Sequence, residues 1–506
     1  MGQSTPFLND SPARPRDDSA PNLGAPSHHG SAAISRDLNA PRAIALVVPP
    51  TATPPAHAAL HPETSAPPSP GHRLARYEVV FDEARVDPDV QKVLRRLVRH
   101  GHEAYLVGGG VRDLLLDRRP KDFDVATSAR PEEVRELFRN SRIIGRRFRL
   151  VHVLFQGGKV IEVATFRRNP KEETEEPGLG AGEELLIRSD NVFGEASEDA
   201  LRRDFTINAL FYDFEKKQVL DWVGGMEDVR RRVVHTIGDP ETRFREDPVR
   251  ILRALKFAGR LDLGITPDVY DAMVYCRESL ALAARPRLSE EILRMLRGGQ
   301  ARRTIYLAWE AGVLEVLLPE LAALLYDDGE EQGPGHRVWR LLDYIDKRTA
   351  QDGPLDDTVL WTLLLLEPMK EACDGARDRA AAVAEFLEPL IERIAISRRY
   401  ADGMRRIVAV LPRLVSGRAG RFARTEMFQL ATEVAAAELS ARGEPTDAVD
   451  RLRAASLRDD PNAPFVAKPA GLTSLPSLPG APGHEGRPAE RPRRERRPHD
   501  GGRGRR

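Results

Sequence analysis

A strand, a glycine turn, a short helix and a second strand follow one another between residues 104 and 125. The glycines at 108–110 let the backbone leave an apolar strand and turn tightly into a predicted helix over Val111–Leu116. The second strand carries two acids, Asp122 and Asp124. Residues two apart in an extended strand point to the same side, so both carboxylates are expected to face one way.

Two carboxylates placed in this way could hold a pair of magnesium ions. Such ions, about 3.5 to 4 Å apart, bind a nucleoside triphosphate and activate an attacking hydroxyl group. The alternative is a solvated Asp-x-Asp sequence in a turn. Backbone amides at the start of the helix could cradle phosphates, although a purely structural turn explains the same glycines. Dinucleotide-binding and Walker patterns do not fit, because the spacing of their glycines and polar residues is missing.

Two β-rich runs, Phe148–Phe155 and Val160–Phe166, predict a hairpin because two glycines separate them. Glu162 lies inside the second run, where a carboxylate among apolar residues is costly unless it is paired or metal-bound. It is therefore a candidate third carboxylate, and exposure on an edge strand is the alternative. Further on, Arg203 and Asp204 could bind triphosphate and ribose, and ordinary surface ion pairing is the alternative for them.

The second half of the chain is predicted to be helical, beginning with a helix-start pattern of acids and proline around Pro248. Glu246, Arg250 and Arg253 are spaced by four and three, so they share one face, which Asp247 flanks. A carboxylate accepts from an exocyclic amino group while a guanidinium donates to the adjacent ring nitrogen. Adenine and cytosine present that pair of groups, whereas guanine and uracil do not. The alternative is a solvated ion-pair face.

Apolar residues recur at helical spacing further along the chain and predict an α-helical body. The segments are Ser289–Leu296, Thr304–Leu318, Arg337–Lys347 and Asp357–Leu366.

Both ends of the chain have compositions that cannot offset the entropy of ordering. Residues 1–74 and 459–506 are therefore predicted to be disordered. Lys plus Arg and Asp plus Glu both total 77, so attraction to nucleic acid must come from uneven distribution of charge. The arginine-rich C-terminal tail is such an uneven region: as a polycation it would bind RNA phosphates, and a solubilising tail is the alternative.

Two isolated cysteines, Cys276 and Cys373, exclude a disulfide scaffold and a cysteine-based zinc site. No signal peptide is visible, and the longest apolar runs are far too short to cross a membrane. We therefore expect a cytoplasmic protein without a membrane partner.

Four ordered motifs resemble the bacterial class II nucleotidyltransferases, the family of poly(A) polymerases and CCA-adding tRNA nucleotidyltransferases. The motifs lie at residues 106–113, 121–125, 202–209 and 246–253, and the resemblance covers roughly Leu97 to Leu325. Residues 137–153 and 161–167 are most similar to the poly(A) polymerase branch. Many CCA-adding relatives carry a phosphohydrolase module with a His-Asp pair, which the helical part of this chain lacks.

The resemblance implies an α+β protein with a polymerase-β-like nucleotidyltransferase head and an all-α neck and body, flanked by the disordered tails. The head is expected at 75–225, the neck with the base-reading motif at 226–285, and the RNA-binding body at 286–458.

The resemblance also implies residue roles. Asp122 and Asp124 would bind two Mg²⁺ ions, with Mn²⁺ as an alternative. Asp204 would be the third catalytic aspartate, with Glu162 as its rival. The nucleotide-binding residues implied are Gly109 and Arg112 at the triphosphate, Arg203 at the phosphate and sugar, and Asp247, Arg250 and Arg253 at the base.

The implied activity is template-independent transfer of AMP from ATP to RNA 3′ ends, for RNA processing and turnover. A CCA-adding enzyme is the first alternative, because the base-reading motif admits cytosine as well as adenine. A non-catalytic RNA-binding protein that keeps the fold is the second. The sequence predicts RNA 3′ ends and ATP as partners and identifies no protein partner.

Overall fold

The computed structural model describes residues 73–145, 149–168, 192–326 and 333–458. The first half of this part is built on an eight-stranded sheet in the order β1-β8-β7-β2-β3-β6-β5-β4. Its strands are β1 Ala75–Glu78, β2 Ala104–Val107, β3 Asp124–Thr127, β4 Ser141–Ile144, β5 Leu150–Leu154, β6 Val160–Thr165, β7 Phe211–Asp213 and β8 Gln218–Asp221. Neighbouring strands are antiparallel except β3 and β6, which are parallel.

Short helices connect and cover these strands: α1 Pro88–Arg99, α2 Gly109–Leu115, α3 Pro131–Leu137, α4 Ala196–Leu201 and α5 Gly225–Arg231. Helix α1 begins where the Asp87 side chain accepts a hydrogen bond from the backbone N–H of Asp89 at 2.9 Å. Its apolar residues, spaced by three and four, are buried against the sheet and against α3.

The two faces of the sheet have different surroundings. Val125 on β3 and Val163 on β6 are paired in register and are buried in the same core cluster as the apolar face of α1. Asp124 and Glu162, one position earlier on each strand, are also paired in register. Because side chains alternate along a strand, these two carboxylates lie on the face opposite α1.

The second half is helical apart from a two-stranded parallel pair, β9 Val233–Val234 and β10 Gly264–Ile265. Its helices are α6 Pro240–Glu246, α7 Val249–Leu261, α8 Pro267–Cys276, α9 Arg285–Leu296, α10 Ala301–Glu310, α11 Val313–Leu317, α12 Pro319–Tyr326, α13 Pro334–Asp352, α14 Asp357–Leu364, α15 Leu366–Ala372, α16 Arg379–Ile394, α17 Arg398–Val415, α18 Phe428–Arg442 and α19 Asp447–Arg458. Helices α13, α14, α17 and α18 pack together, and Trp361 of α14 is fully buried.

The predicted α+β class is confirmed, and two predicted helices are divided. Glu246 ends α6 and Arg250 belongs to α7, so they do not share a helix as the spacing suggested. Asp247 is extended, with φ −149° and ψ 91°, because a residue before proline avoids helical angles. The predicted helix Thr304–Leu318 is similarly divided, since Gly312 adopts φ +70° between α10 and α11.

Strands β1 and β4 were not predicted. The predicted domain boundaries remain predictions, and nearly all of the two predicted disordered tails lies outside the described residues. Both cysteines are buried and free. In the part of the chain that the structure describes, no helix is both long and apolar enough to span a bilayer.

Candidate active site

The candidate catalytic carboxylates lie at the start of β3 and on its parallel neighbour β6. Asp124 is the first residue of β3, and its register partner across the ladder is Glu162. Neighbouring strands are about 4.8 Å apart, so the two side chains stand next to each other on one face. Asp122 is two residues earlier and exposed. Strand β6 runs between β3 and β5, so the alternative is wrong in placing Glu162 on an edge strand. The exposure that it also predicted is observed, because the Glu162 side chain is 50% exposed and lies 3.4 Å from Nε2 of His152.

Asp124 lies close to two other carboxylates, Glu162 and Asp122, and their negative charges affect its pKa. Asp124 is exposed as a residue, but desolvation of its carboxylate by the surrounding protein, together with the negative charge of Glu162, raises its pKa to about 6. Asp122 adds to this rise, and the positive charge of Arg203 opposes it. A cation bound beside Asp124 would relieve the unfavourable charge.

The donor set of this cluster fits Mg²⁺. Within the described residues, no three His, Cys, Asp or Glu side chains converge into a ready-made metal cage. Mg²⁺ does not require one, because it is usually held by one or two carboxylates, water and substrate phosphates. Hard carboxylate oxygens at Asp122 and Asp124, with Glu162 beside them, are the ligands it prefers.

The glycine turn approaches the carboxylates closely. Gly108 has φ +69°, and a Cβ there would lie 3.3 Å from Nη1 of Arg203 and 3.6 Å from Oδ2 of Asp124. A Cβ at Gly110 would lie 3.2 Å from the Phe123 ring. Gly109 begins α2 between them. The absence of side chains on these glycines therefore lets the turn, Arg203 and the candidate catalytic carboxylate Asp124 share one small volume.

Arg203 is held in this volume by a residue that the sequence did not single out. Its Nε and Nη2 donate to Oδ2 of Asp199 at 3.3 and 2.9 Å, and its Nη1 donates to the carbonyl of Asn208 at 3.1 Å. The guanidinium also lies 5.0 Å from the Phe211 ring centroid. Burial opposes ionisation of Asp199, yet the charge of Arg203 keeps the pKa of Asp199 below its usual value.

Asp204 is hydrogen-bonded to Arg253 of α7, in the neck. Its Oδ2 accepts from Nε of Arg253 at 2.7 Å, and its Oδ1 accepts from the Phe205 N–H at 2.9 Å and from Nδ2 of Asn208 at 3.1 Å. Burial alone would raise the pKa of Asp204, but the charge of Arg253 and these hydrogen bonds lower it to about 2. Both carboxylate oxygens are therefore occupied by protein donors, and Arg253 faces Asp204.

Arg112 is an interior residue, only 3% exposed. Its Nε and Nη2 donate to Oδ1 of Asp113 at 2.9 and 2.6 Å, and its Nη1 donates to Oδ1 of Asn208 at 2.6 Å. The guanidinium also stacks 4.9 Å from the ring centroid of Phe257 on α7. In this arrangement Arg112 joins the turn helix, the Asn208 segment and the neck.

The residues of the neck that the sequence predicts to read the base form two groups. Glu246 accepts from Arg243 at 2.7 Å and from Arg250 at 3.1 Å, and all three side chains are buried. Asp247 instead pairs with Arg287 of α9, whose Nη1 and Nη2 donate to its two oxygens at 2.9 and 2.7 Å. The structure thus separates Asp247 and Arg253 from the buried Glu246 group.

The sequence did not single out three residues that position the candidate site residues: Asp199, Arg243 and Arg287. Asp199 and Arg203 are four residues apart, and a pair of opposite charges at that spacing was a usable signal. Arg243 donates to the carbonyls of Arg202 and Arg203, which lie about forty residues earlier in the sequence. No local sequence pattern predicts such a contact. The same holds for Arg287, which is equally distant from Asp247 in sequence.

The mixed sheet presents carboxylates beside a glycine turn, and the helical neck bonds to the Arg-Arg-Asp segment, residues 202–204. This combination is typical of a nucleotidyltransferase. A family model described as "Poly A polymerase head domain" matches residues 104–235. A second, described as "Probable RNA and SrmB- binding site of polymerase A", matches residues 262–325.

Poly(A) polymerase I of Salmonella typhi is 38% identical over 336 residues, which cover 64% of this chain and 72% of that protein. The chain therefore belongs to the poly(A) polymerase I family, in agreement with the predicted enzyme class of polynucleotide adenylyltransferase.

The related CCA-adding enzymes are also similar. That of Geobacillus sp. (strain WCH70) is 38% identical over 252 residues, covering 50% of this chain and 58% of that protein. The crystal structure of the Bacillus stearothermophilus CCA-adding enzyme in complex with CTP superposes with a TM-score of 0.54 at 28% identity. That superposition covers 74% of this chain and 84% of the other.

Proposed function

We propose that the enzyme transfers AMP from ATP to the 3′-hydroxyl of RNA and releases pyrophosphate, without a template and with Mg²⁺, or Mn²⁺ in its place. The observation that carries this proposal is the register pairing of Asp124 with Glu162 beside the glycine turn, where two neighbouring carboxylates favour a bound cation. Membership of the poly(A) polymerase I family supports the choice of ATP and RNA.

Asp122 and Asp124 would hold the metal, which supplies Lewis acidity to the primer hydroxyl and to the leaving pyrophosphate. Glu162 is the third carboxylate that the strand register favours, since it stands directly beside Asp124. We assign Asp204 a positioning role instead of a catalytic one. Its oxygens already accept from Arg253, Asn208 and a backbone N–H, so it holds the Arg-Arg-Asp segment against the neck.

Triphosphate binding is assigned to Arg203 and the turn at Gly109. Arg203 is 20% exposed along its side chain and stands between Gly108 and the Asp199 carboxylate that orients it. Its charge would neutralise phosphate oxygens as negative charge develops. Arg112 contributes indirectly, because its three hydrogen bonds fix Asn208 and the helix that follows the turn.

Base selection is assigned to Asp247, while Arg250, buried beside Glu246, and Arg253, paired with Asp204, would position the segment around it. Asp247 is 20% exposed along its side chain and is therefore accessible to a base edge. Its bidentate pair with Arg287 fixes the orientation of the carboxylate before a nucleotide arrives. A carboxylate in a fixed position accepts a hydrogen bond from an exocyclic amino group at only one distance from the sugar. This favours a single base size over alternation between purine and pyrimidine.

A CCA-adding activity is the second candidate. It is favoured by the 38% identity to the Geobacillus CCA-adding enzyme over half of this chain. Adenine and cytosine offer the same donor and acceptor pair, so the chemistry of the motif alone serves both activities.

End-labelled RNA, incubated with the purified enzyme, Mg²⁺ and one nucleoside triphosphate at a time, separates the two candidates. We expect long homopolymer tails with ATP alone. Use of CTP on a truncated tRNA, with growth that stops at C-C-A, would replace this proposal by the second candidate.

The catalytic assignment has its own test. Asp122→Asn should abolish incorporation, whereas Asp271→Asn, at an exposed aspartate on α8, should leave it unchanged.

A further inference from the structure

A cationic groove of about 540 Å³ lies on the solvent side of α1, at its junction with the segment that follows α3. It is lined by Lys92, Arg95, Arg96, Arg99, His100, Phe138, Asn140 and Phe155. The four lysine and arginine side chains belong to exposed residues of one helix face, spaced by three and four. None of the described residues that line the groove is acidic.

The charge of this groove is only partly compensated. Lys92 pairs with Asp89 at 2.8 Å, and Arg95 lies 4.0 Å from Glu83, but both cations remain largely solvent-accessible. Among the described residues, no carboxylate lies within ion-pair distance of Arg96 or Arg99. A surface helix that serves only solubility usually alternates charges of both signs along its face.

Part of the groove is rigid. The guanidinium of Arg96 lies 5.3 Å from the ring centroid of Phe138, which is itself only 6% exposed and packs in the core. The ring therefore fixes the position of that charge. His100 bonds through Nδ1 to the Arg96 carbonyl at 2.8 Å, which places the imidazole at the end of the same row.

The groove is separate from the active site. Helix α1 packs on β2 and β3 through the buried face that contains Val125 and Val163. Asp124 and Glu162 occupy the other face of the same strands. The sheet therefore stands between the groove and the carboxylates, and one bound nucleotide cannot contact both.

We propose that this groove binds the phosphate backbone of the RNA substrate at nucleotides upstream of its 3′ end. Lys92 and Arg99 are separated by about 10 Å along the helix axis, at about 1.5 Å per residue. That length exceeds a single phosphate and suits successive phosphates of a strand. Aligned cations that contact only phosphates bind without sequence preference, as a substrate with varied 5′ sequence requires. This inference rests on the proposed function, because it takes RNA as the substrate.

The test uses the full-length enzyme with Arg95, Arg96 and Arg99 changed together to Gln. Its matched control changes Lys216, Arg230 and Arg231 to Gln, which removes the same charge from exposed positions outside the groove. Dissociation constants for a long single-stranded RNA and a short primer are measured by fluorescence anisotropy over a range of salt concentrations, without nucleotide. Elongation of both RNAs with ATP is measured in parallel.

The groove variant should bind long RNA at least tenfold more weakly at low salt. The slope of log K against log salt should fall by about 2, because each phosphate contact contributes about 0.7 for a single strand. Binding and elongation of the short primer should stay at the wild-type level. An equal loss in the control variant, or an equal loss with the short primer, would overturn the proposal.

A single Arg99→Gln variant, at an exposed position, guards against misfolding and should reduce the slope by about 0.7. Inorganic tripolyphosphate is also tested as a competitor of long RNA. If it displaces the RNA from the wild-type enzyme but not from the groove variant, the groove is a small-anion site and the proposal is overturned. Failure of the wild-type enzyme to add AMP would refute the proposed function. The anisotropy result is obtained without nucleotide and is judged separately.

Discussion

The buried pair between Arg253 and Asp204 offers the sharpest test of how the neck supports the head. Nε of Arg253 donates to Oδ2 of Asp204 at 2.7 Å, and the side chains are 29% and 10% exposed. Changing Arg253 to Met retains the aliphatic contact and removes the charge. The buried carboxylate then loses its principal partner while its other hydrogen bonds remain.

The size of the effect follows from the pKa of Asp204. A fall in this pKa from the ordinary value of 3.8 to about 2 corresponds to about 2.5 kcal/mol of stabilisation at neutral pH, at about 1.4 kcal/mol per unit. Removing one partner of a buried pair typically costs about 3 to 5 kcal/mol, because the remaining charge is left uncompensated. We expect about 3 kcal/mol for Arg253→Met, since Arg253 is partly exposed.

The pH dependence has a definite sign. A carboxylate with a depressed folded pKa stabilises the wild-type protein above its unfolded pKa, near 3.8, and this contribution is lost as pH falls through about 2. Without Arg253, burial dominates and the pKa of Asp204 rises above its usual value. Protonation then occurs in the folded variant first, so its stability deficit should shrink as the solution becomes acidic.

Urea unfolding followed by circular dichroism measures the deficit as a change in midpoint at constant slope. Arg245→Met is the control, because its ion pair with Glu241 is exposed and should contribute less than about 1 kcal/mol. Combining Arg253→Met with Asp204→Asn should recover part of the loss, since the amide carries no charge. A double variant as unstable as Arg253→Met alone would refute the explanation by uncompensated charge.

Three further predictions concern the site. Glu162→Gln should weaken Mg²⁺ binding about 10- to 100-fold. In the wild type, thermal stabilisation by Mg²⁺ should be lost as pH falls through about 6, the pKa of Asp124. In the variant this stabilisation should persist to lower pH, because Asp124 loses a negative neighbour. Gly108→Ala should destabilise the fold by about 1 to 3 kcal/mol and slow catalysis, because its φ of +69° disfavours a side chain. Arg287→Ala should raise KM for ATP about two- to fivefold with kcat unchanged, because Asp247 loses its orienting partner at a partly exposed site.

Each of these predictions has a matched control. Glu78→Gln, at an exposed glutamate on β1, should leave the Mg²⁺ response unchanged. Gly101→Ala has a similar positive φ but no neighbour within 4 Å, so it should reproduce the strain without the catalytic defect. Arg294→Ala removes another arginine from the same helix as Arg287. Equal effects of a variant and its control would contradict the corresponding assignment.

Local sequence patterns predicted the turn and the hairpin around the site, because glycine and alternating apolar residues act over a few positions. The prediction that one strand carries both Asp122 and Asp124 is wrong, since β3 begins at Asp124. Strand β1 was missed, since four residues, Ala75–Glu78, pair with β8, which lies far away in sequence. The environment of Glu162 depended on which strands flank β6, and a crossover connection decides that. The break at Pro248 could have been predicted, because a residue before proline is driven out of the helical region.

Three arginines have a structural role that the sequence did not reveal, because their buried or partly buried side chains join the head to the neck. Arg243 donates to two carbonyls of the Arg-Arg-Asp segment, Arg253 pairs with Asp204, and Arg112 stacks on Phe257 of α7. A guanidinium has five donors in a fixed plane, so each contact restrains direction as well as distance. The contacts therefore restrain α6 and α7 relative to residues 202–204 and to the helix that follows the glycine turn. With the proposed residue roles, we expect base selection and catalytic geometry to be coupled, so a change that loosens one of these arginines should alter both nucleotide choice and turnover.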